Sequence, residues 1–190
     1  MSDADRDEGG TETAVVLDFL AHGRSEDDRP QYQKEPLAYV IDTDDFALYE
    51  LVLEQNSNIS IGDSLDLDEM EGLIQNRQVT YDDLPSGAVS ELDYAIVEIV
   101  EADERRFVDF YNEAQPITLR LHQLNLLPGI GKKLRNNVLD QRKRKPFESF
   151  EELEERIDGL HDPKQVLVDR ILEELQEEDL KYRVFVRHDR

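Results

Sequence analysis

The stretch Leu124 to Phe147, LNLLPGIGKKLRNNVLDQRKRKPF, is a basic island in a 190-residue chain of formal net charge −23. Between Lys132 and Lys145 stand seven bases (Lys132, Lys133, Arg135, Arg142, Lys143, Arg144, Lys145) and one acid, Asp140, so this window carries +6 and the remainder −29. Four of the chain's seven lysines fall inside it. Leu127-Pro128-Gly129-Ile130-Gly131 reads as a tight turn joining two helices. Gly129 and Gly131 have no Cβ, so the backbone turns sharply and approaches a ligand closely. The free N–H groups opening the second helix, with its dipole, suit a phosphate. Leu127 and Ile130 are expected to point inward and join the helices.

Outward from this turn the chain changes period. Residues 1–12, MSDADRDEGGTE, show high charge and no apolar periodicity, and are expected to be a disordered acidic tail. AVVLDFL (14–20), LAYVID (37–42), FALYELVL (46–53), ISIGDSLDL (59–67) and RQVTYDDL (77–84) are strand candidates separated by Asp, Asn and Gly. Five short strands predict a small β-barrel over 13–84, with Gly62 at a bulge or bend. From Ser86 the pattern is helical: Val89, Leu92, Ile96, Ile99 and Val100 share a stripe, and a second helix near 103–113 carries Phe107, Phe110 and Tyr111 as core. Residues 85–115 are thus linking helices. Pro116 opens ITLRLHQLNLL, a helix with Ile117, Leu121 and Leu124 on one side. Lys132 to about Arg144 is the next helix, ended by Pro146. Ser149 caps EELEERI, and Asp162-Pro163 caps VLVDRILEEL as N-cap and first helical residue. The module spans 116–178, and KYRVFVR (181–187) is a late strand within a C-terminal tail, 179–190. The fold class is α+β.

Composition bounds the chemistry. No apolar run spans a bilayer and the N-terminus is unlike a secretory signal, so no membrane partner and a cytoplasmic location are expected. The absence of cysteine excludes disulfides, thiolate zinc sites and cysteine nucleophiles. The 45 acids against 22 bases, with lysine scarcer than arginine, suit concentrated intracellular salt; at about 1 M the Debye length is only about 3 Å. The alternative is an acidic nucleic-acid mimic. His22, His122, His161 and His188 are too scattered for a zinc quartet. Asp63, Asp66, Asp68, Glu69 and Glu71 form an acidic run, but Met70 breaks the order of a calcium loop. No metal site, P-loop or nucleophile with a visible base is read, and the chain is expected not to be an enzyme; the rival is a nuclease using the 63–71 carboxylates.

The Pro128–Lys133 run resembles the helix-hairpin-helix motif, whose string is LPGIG followed by a base. Where the motif has a small residue four positions after the last glycine, this chain has Arg135, which would add a phosphate ligand if turned outward. The segment from Arg142 through Pro146, Phe147, Ser149, Phe150 and Leu153 is similar to the connector between paired hairpins in bacterial DNA-uptake proteins. Ile157-Asp158-Gly159-Leu160 would then be a second, acidic hairpin acting as a structural mate. AVVLDFL, VTYDDLPSGA, ERRFVDFYNEAQPITLRLHQLNLLPGIGKK and KPFESFEELEERI together resemble an archaeal family of uncharacterised proteins, domain of unknown function 655, over about residues 14–187. That resemblance implies an OB-like barrel before helix-hairpin-helix helices, and a nucleic-acid-binding protein. Its gene company implies RNA rather than DNA, with ribosome or RNA polymerase components as partners.

The expected ligands of nucleic acid are Pro128, Gly129, Ile130, Gly131, Lys132, Lys133, Arg135, Arg142, Lys143, Arg144 and Lys145. Such contacts position a backbone without reading sequence. Tyr39, Phe46, Tyr49 and Tyr81 are candidate stacking platforms on the barrel, or core. No cofactor is expected beyond a monovalent cation on the hairpin carbonyls, as in some relatives of the motif. The alternative is a protein–protein interaction subunit of the translation or transcription machinery, with a purely structural hairpin.

Overall fold

The computed structural model describes residues 12–187; apart from Glu12 the expected acidic tail lies outside them, as does His188. The chain divides into two compact units between Ala95 and Ile96, with Arg187 belonging to the first.

The first unit is built on five antiparallel strands: β1 (Thr13–Leu20), β2 (Leu37–Asp42), β3 (Leu48–Leu53), β4 (Ser64–Asp66) and β5 (Leu73–Val79). Their order is β4-β1-β2-β3-β5. β4 and β5 are the two edges and do not pair with each other, so the sheet is open and the expected closed barrel is not formed. The acidic segment before and after β4 explains why. Asp63 Oδ2 accepts from Ser60 N at 2.9 Å, and Asp66 Oδ1 from Asp68 N at 3.1 Å and Glu69 N at 3.3 Å. These local bonds give the backbone turns in place of a ladder and cut the expected strand 59–67 to three residues. β5 starts earlier than its expected place at 77–84, and Tyr81–Asp83 is a 3-10 turn.

Both faces of the sheet carry buried side chains, while the edge strand β5 is exposed from Ile74 to Arg77. Ala14, Val16, Ala38, Val40, Leu51, Leu53 and Leu67 form one core, against which Phe19, Ile59 and Met70 pack. On the other face Val15, Leu17, Ile41, Leu48 and Val79 are buried. The start of α1 (Ser86–Ala102) comes against β1 there, because a Cβ on Gly87 would lie 2.6 Å from Asp18 Oδ2. Across this face Tyr39, Glu50 and Arg77 stand in register on β2, β3 and β5. The Tyr39 hydroxyl donates to Glu50 Oε2 at 2.6 Å, and Arg24 donates to both Tyr39 and Glu50. Burial and the Glu50 carboxylate push the Tyr39 phenol up to about 12. Tyr39 and Phe46 are therefore core, and Tyr49 and Tyr81 are half-buried.

The second unit takes in the end of α1, then α2 (Glu104–Glu113), α3 (Lys132–Arg144), α4 (Phe150–Arg156) and α5 (Pro163–Gln176). The caps read from the sequence are present: Ser149 Oγ accepts from Glu152 N at 3.0 Å, and Asp162 Oδ1 from Gln165 N at 3.2 Å. Phe107, Val108, Tyr111, Val138, Phe147 and Leu153 are buried, and the Tyr111 hydroxyl donates to Pro163 O at 2.7 Å.

Two segments depart from expectation. The helix expected from Pro116 is absent: Pro116 bridges to His122, and only Gln123–Leu126 winds, as one 3-10 turn. The Thr118 hydroxyl takes the N–H groups of Arg120 and Leu121 and so closes a turn where a helix would run on. The segment 181–187 is not a strand. Its N–H groups meet a carboxylate instead: fully buried Glu174 accepts through Oε1 from Val184 N, Phe185 N and Val186 N at 2.8, 3.0 and 3.1 Å. Arg170 donates to Glu174 Oε2 at 3.0 Å and to Tyr182 O at 2.6 Å.

Candidate functional site

Leu127 to Ile130 form a type II turn. Ile130 N donates to Leu127 O at 3.2 Å, Pro128 occupies the second position, and Gly129 the third with φ +79°. That φ favours glycine. Leu127 and Ile130 are buried while Pro128, Gly129 and Gly131 are exposed, as the sequence predicts. Gly131 is the N-cap of α3, with an ordinary φ of −88° and no side-chain cap. A Cβ on Gly131 would meet nothing within 4 Å, so no contact inside the chain asks for glycine there. The N–H groups of Lys132, Lys133 and Leu134 have no acceptor among the described residues and open to solvent at the positive end of the helix.

Asn125 braces this turn and was not marked out by the sequence. Its Nδ2 donates to Ile130 O at 3.2 Å, and its Oδ1 accepts from His122 N at 3.2 Å and Arg135 Nη1 at 3.0 Å. Its one sequence signal is its place three residues after His122, where the two side chains form a reciprocal capping box. His122 Nδ1 accepts from Leu124 N at 3.1 Å. Burial, and then Arg142 and Arg135, hold its pKa below the usual histidine value.

The predicted cations separate into two groups. Lys132, Lys133, Lys143, Arg144 and Lys145 are exposed and Arg135 is half-buried. Lys132 and Lys143, like Lys133 and Arg144, are 11 residues apart, which returns to within about 20° on a helix. They form two exposed rows about 100° apart on the helix, each about 16 Å long, with Asp140 also exposed. Arg142 stands apart. It follows buried Val138 by one turn and so lies on the inner face, where Nη1 donates to Tyr111 O at 3.1 Å and Ala114 O at 2.9 Å. Arg142 caps the end of α2, and its spacing from Val138 was the signal.

Ile157 to Leu160 repeat the turn: Leu160 N donates to Ile157 O at 3.3 Å, Gly159 has φ +87°, and Ile157 and Leu160 are buried. Its helix end differs. Pro163 removes one N–H of α5, and the Asp162 carboxylate takes the N–H of Gln165. An anion of the chain itself already holds that helix start.

No Asp or Glu occurs between Gln115 and Leu139. Among the described residues Arg120, Lys132, Lys133, Arg135, Lys143 and Arg144 have no carboxylate within 4 Å, whereas Arg105, Arg156, Lys164 and Arg170 of the same unit are ion-paired. Also among these residues, no cluster of His, Asp and Glu has a metal-holding arrangement, and no helix is long and apolar enough to cross a membrane.

Fold and site together define a mixed α+β chain with an open five-stranded sheet and two like turns, one basic and open, the other acidic and self-capped. The family model described as protein of unknown function DUF655 matches residues 11–187, and the chain belongs to that family. It is 37% identical over 180 residues to the uncharacterized protein MJ0038 of Methanocaldococcus jannaschii, covering 92% of this chain and 79% of that one. The crystal structure of Af1531 from Archaeoglobus fulgidus, of the same family, superposes with a TM-score of 0.85 at 37% identity, covering 93% of this chain and 99% of that chain.

Proposed function

We propose that the chain is a non-enzymatic RNA-binding protein that grips one sugar-phosphate backbone at the Pro128–Lys133 turn, in the manner of a helix-hairpin-helix. The observation that carries this is the set of unpaired cations around an uncapped helix start, in a chain with twice as many acids as bases. Elsewhere in this unit Arg105, Arg156, Lys164 and Arg170 are held by carboxylates, and Arg142 and Arg183 by backbone carbonyls. Phosphate oxygens supply the missing acceptors: the N–H groups of Lys132 and Lys133 bond them directly, and the ammonium groups flank them. Lys143 and Arg144 continue the track, while Lys145 stands 4.0 Å from the Glu152 carboxylate. Arg142 is left out of the ligand set because its guanidinium is turned inward, with Nη1 on Tyr111 O and Ala114 O.

The second turn argues for one strand rather than two. A phosphate at the start of α5 would face Asp162 where it already caps the helix, with Asp158 alongside. RNA is preferred to DNA on the implication of the family resemblance.

The test is affinity for a single-stranded RNA across a range of potassium chloride concentrations. Lys132→Glu/Lys133→Glu, at two exposed positions, is expected to weaken binding similarly for all sequences. Its log–log salt slope should be shallower by about 1.4, two contacts at about 0.7 each for single strands. Unaltered affinity and slope would remove the turn from the interface.

A further inference from the structure

Upstream of the phosphate turn, residues 116–122 close into a small rigid loop. Pro116 bridges to His122, and Ile117 N and Thr118 N both donate to Leu121 O, at 2.8 and 3.0 Å. Thr118 Oγ1 accepts from Arg120 N at 3.2 Å and Leu121 N at 3.0 Å. At the tip, Leu119 is fully exposed, with a relative accessibility of 106%. Burial of a leucine stabilises a fold, so a hydrogen-bonded loop that holds one out in water forgoes that stabilisation. Arg120, beside it, is exposed and has no carboxylate partner among the described residues.

The base of this loop is tied to the phosphate turn. His122 N donates to Asn125 Oδ1, and Asn125 Nδ2 donates to Ile130 O, at 3.2 Å each. The Arg135 guanidinium meets the same Asn125 oxygen. The tip and the turn are therefore held by a single braced side chain, in the acid-free stretch from Gln115 to Leu139.

We propose that this tip is a second contact on the RNA, with Leu119 packed on the face of an unpaired base and Arg120 on a neighbouring phosphate. It rests on the reading of the Pro128–Lys133 turn as a phosphate grip. The chemistry matches a nucleotide: an apolar planar face adjoining an anion, met by a leucine adjoining a guanidinium. One leucine between Thr118 and Arg120 is far below the roughly 800 Å² per partner that a stable protein interface buries. Apolar side chains do pack on or between bases, and a base face is recognised whatever its sequence. The ligand class narrows from any polyanion to RNA with unpaired, accessible bases.

The native chain has no tryptophan, so Leu119→Trp supplies a single emission probe. Wild type, Leu119→Ser, Leu119→Trp and Lys132→Glu/Lys133→Glu are compared on a mixed-sequence single-stranded RNA and on an abasic strand of equal length. Leu119→Ser should lose about five-fold in affinity for the RNA, close to one kcal/mol, and nothing on the abasic strand. Leu119→Trp emission should be quenched by the RNA alone. Both Leu119 variants should melt with wild type, since the side chain is fully exposed. If wild type binds and the lysine variant does not, but Leu119→Ser matches wild type and the tryptophan emission is unmoved, the tip is no contact and the phosphate grip stands. If wild type binds neither strand, the phosphate grip falls and the tip with it.

Discussion

His122 shows how a single residue sets the local structure of the site. Its Nδ1 accepts from Leu124 N, so the ring is neutral in the folded chain with its proton on Nε2, an assignment made from the hydrogen bond. Burial and the Arg142 and Arg135 charges lower its pKa below the usual 6.5. The unfolded chain therefore takes up the proton first, as pH falls through about 6.5. The stability contributed by His122 is complete above that value and is lost as pH falls toward the depressed one. A ring-proton NMR titration should place the His122 midpoint below 6.5, and His122→Ala should remove the corresponding part of the stability–pH curve. A midpoint at or above the usual value would contradict the cap. The histidine was visible in the sequence beside the hairpin, but its partner was not. Its ring nitrogen accepts from the N–H of Leu124 two residues on.

Among elements, those carrying explicit end signals were legible. Ser149 and Asp162-Pro163 fixed the starts of α4 and α5, and Pro146 the end of α3. Strands with uninterrupted apolar runs, LAYVID above all, also fall where expected. The segments that misled have side chains competing for the backbone. Thr118, Asp63 and Asp66 make turns from stretches whose apolar spacing imitates a helix or a strand. The C-terminal RVFV alternates like a strand, yet its donors are taken by Glu174, a partner distant in sequence that no local pattern reveals. Glu174→Ala would leave three N–H groups and buried Arg170 without this carboxylate. It should cost about 3–5 kcal/mol in denaturant unfolding, as loss of one partner from a buried pair does. In native-state hydrogen exchange, the amides of Val184 to Val186 should lose protection first. Full protection in that variant would show that the segment is held by its other contacts, those of Phe185, Tyr182 and Arg183.

Over the whole molecule, charge is what links sequence to site. In a chain of formal charge −23, Arg105, Arg156 and Lys164 are ion-paired, whereas Lys132, Lys133, Lys143 and Arg144 have no carboxylate within 4 Å among the described residues. The basic island was legible as composition. Its division into two exposed rows and an inward Arg142 required α3 to be set in place. The degenerate second turn was also legible, because Ile157-Asp158-Gly159-Leu160 keeps the glycine and the two apolar anchors while changing sign. The Asp162 cap was legible as well, and the structure adds that its carboxylate occupies the start of α5 beside that turn.

Gly131→Ala isolates the central claim, because the residue has ordinary backbone angles and open space around its Cβ position. Its effect on stability should be small, at most about 1 kcal/mol as for a changed N-cap. A methyl placed over the N–H groups of Lys132 and Lys133 should nevertheless hold a phosphate away. The measurement is the affinity of Gly131→Ala for single-stranded RNA, with unfolding free energy determined on the same preparation. The account predicts affinity lowered by about ten-fold, the loss of roughly one phosphate hydrogen bond, at nearly unchanged stability. Affinity equal to wild type would contradict it.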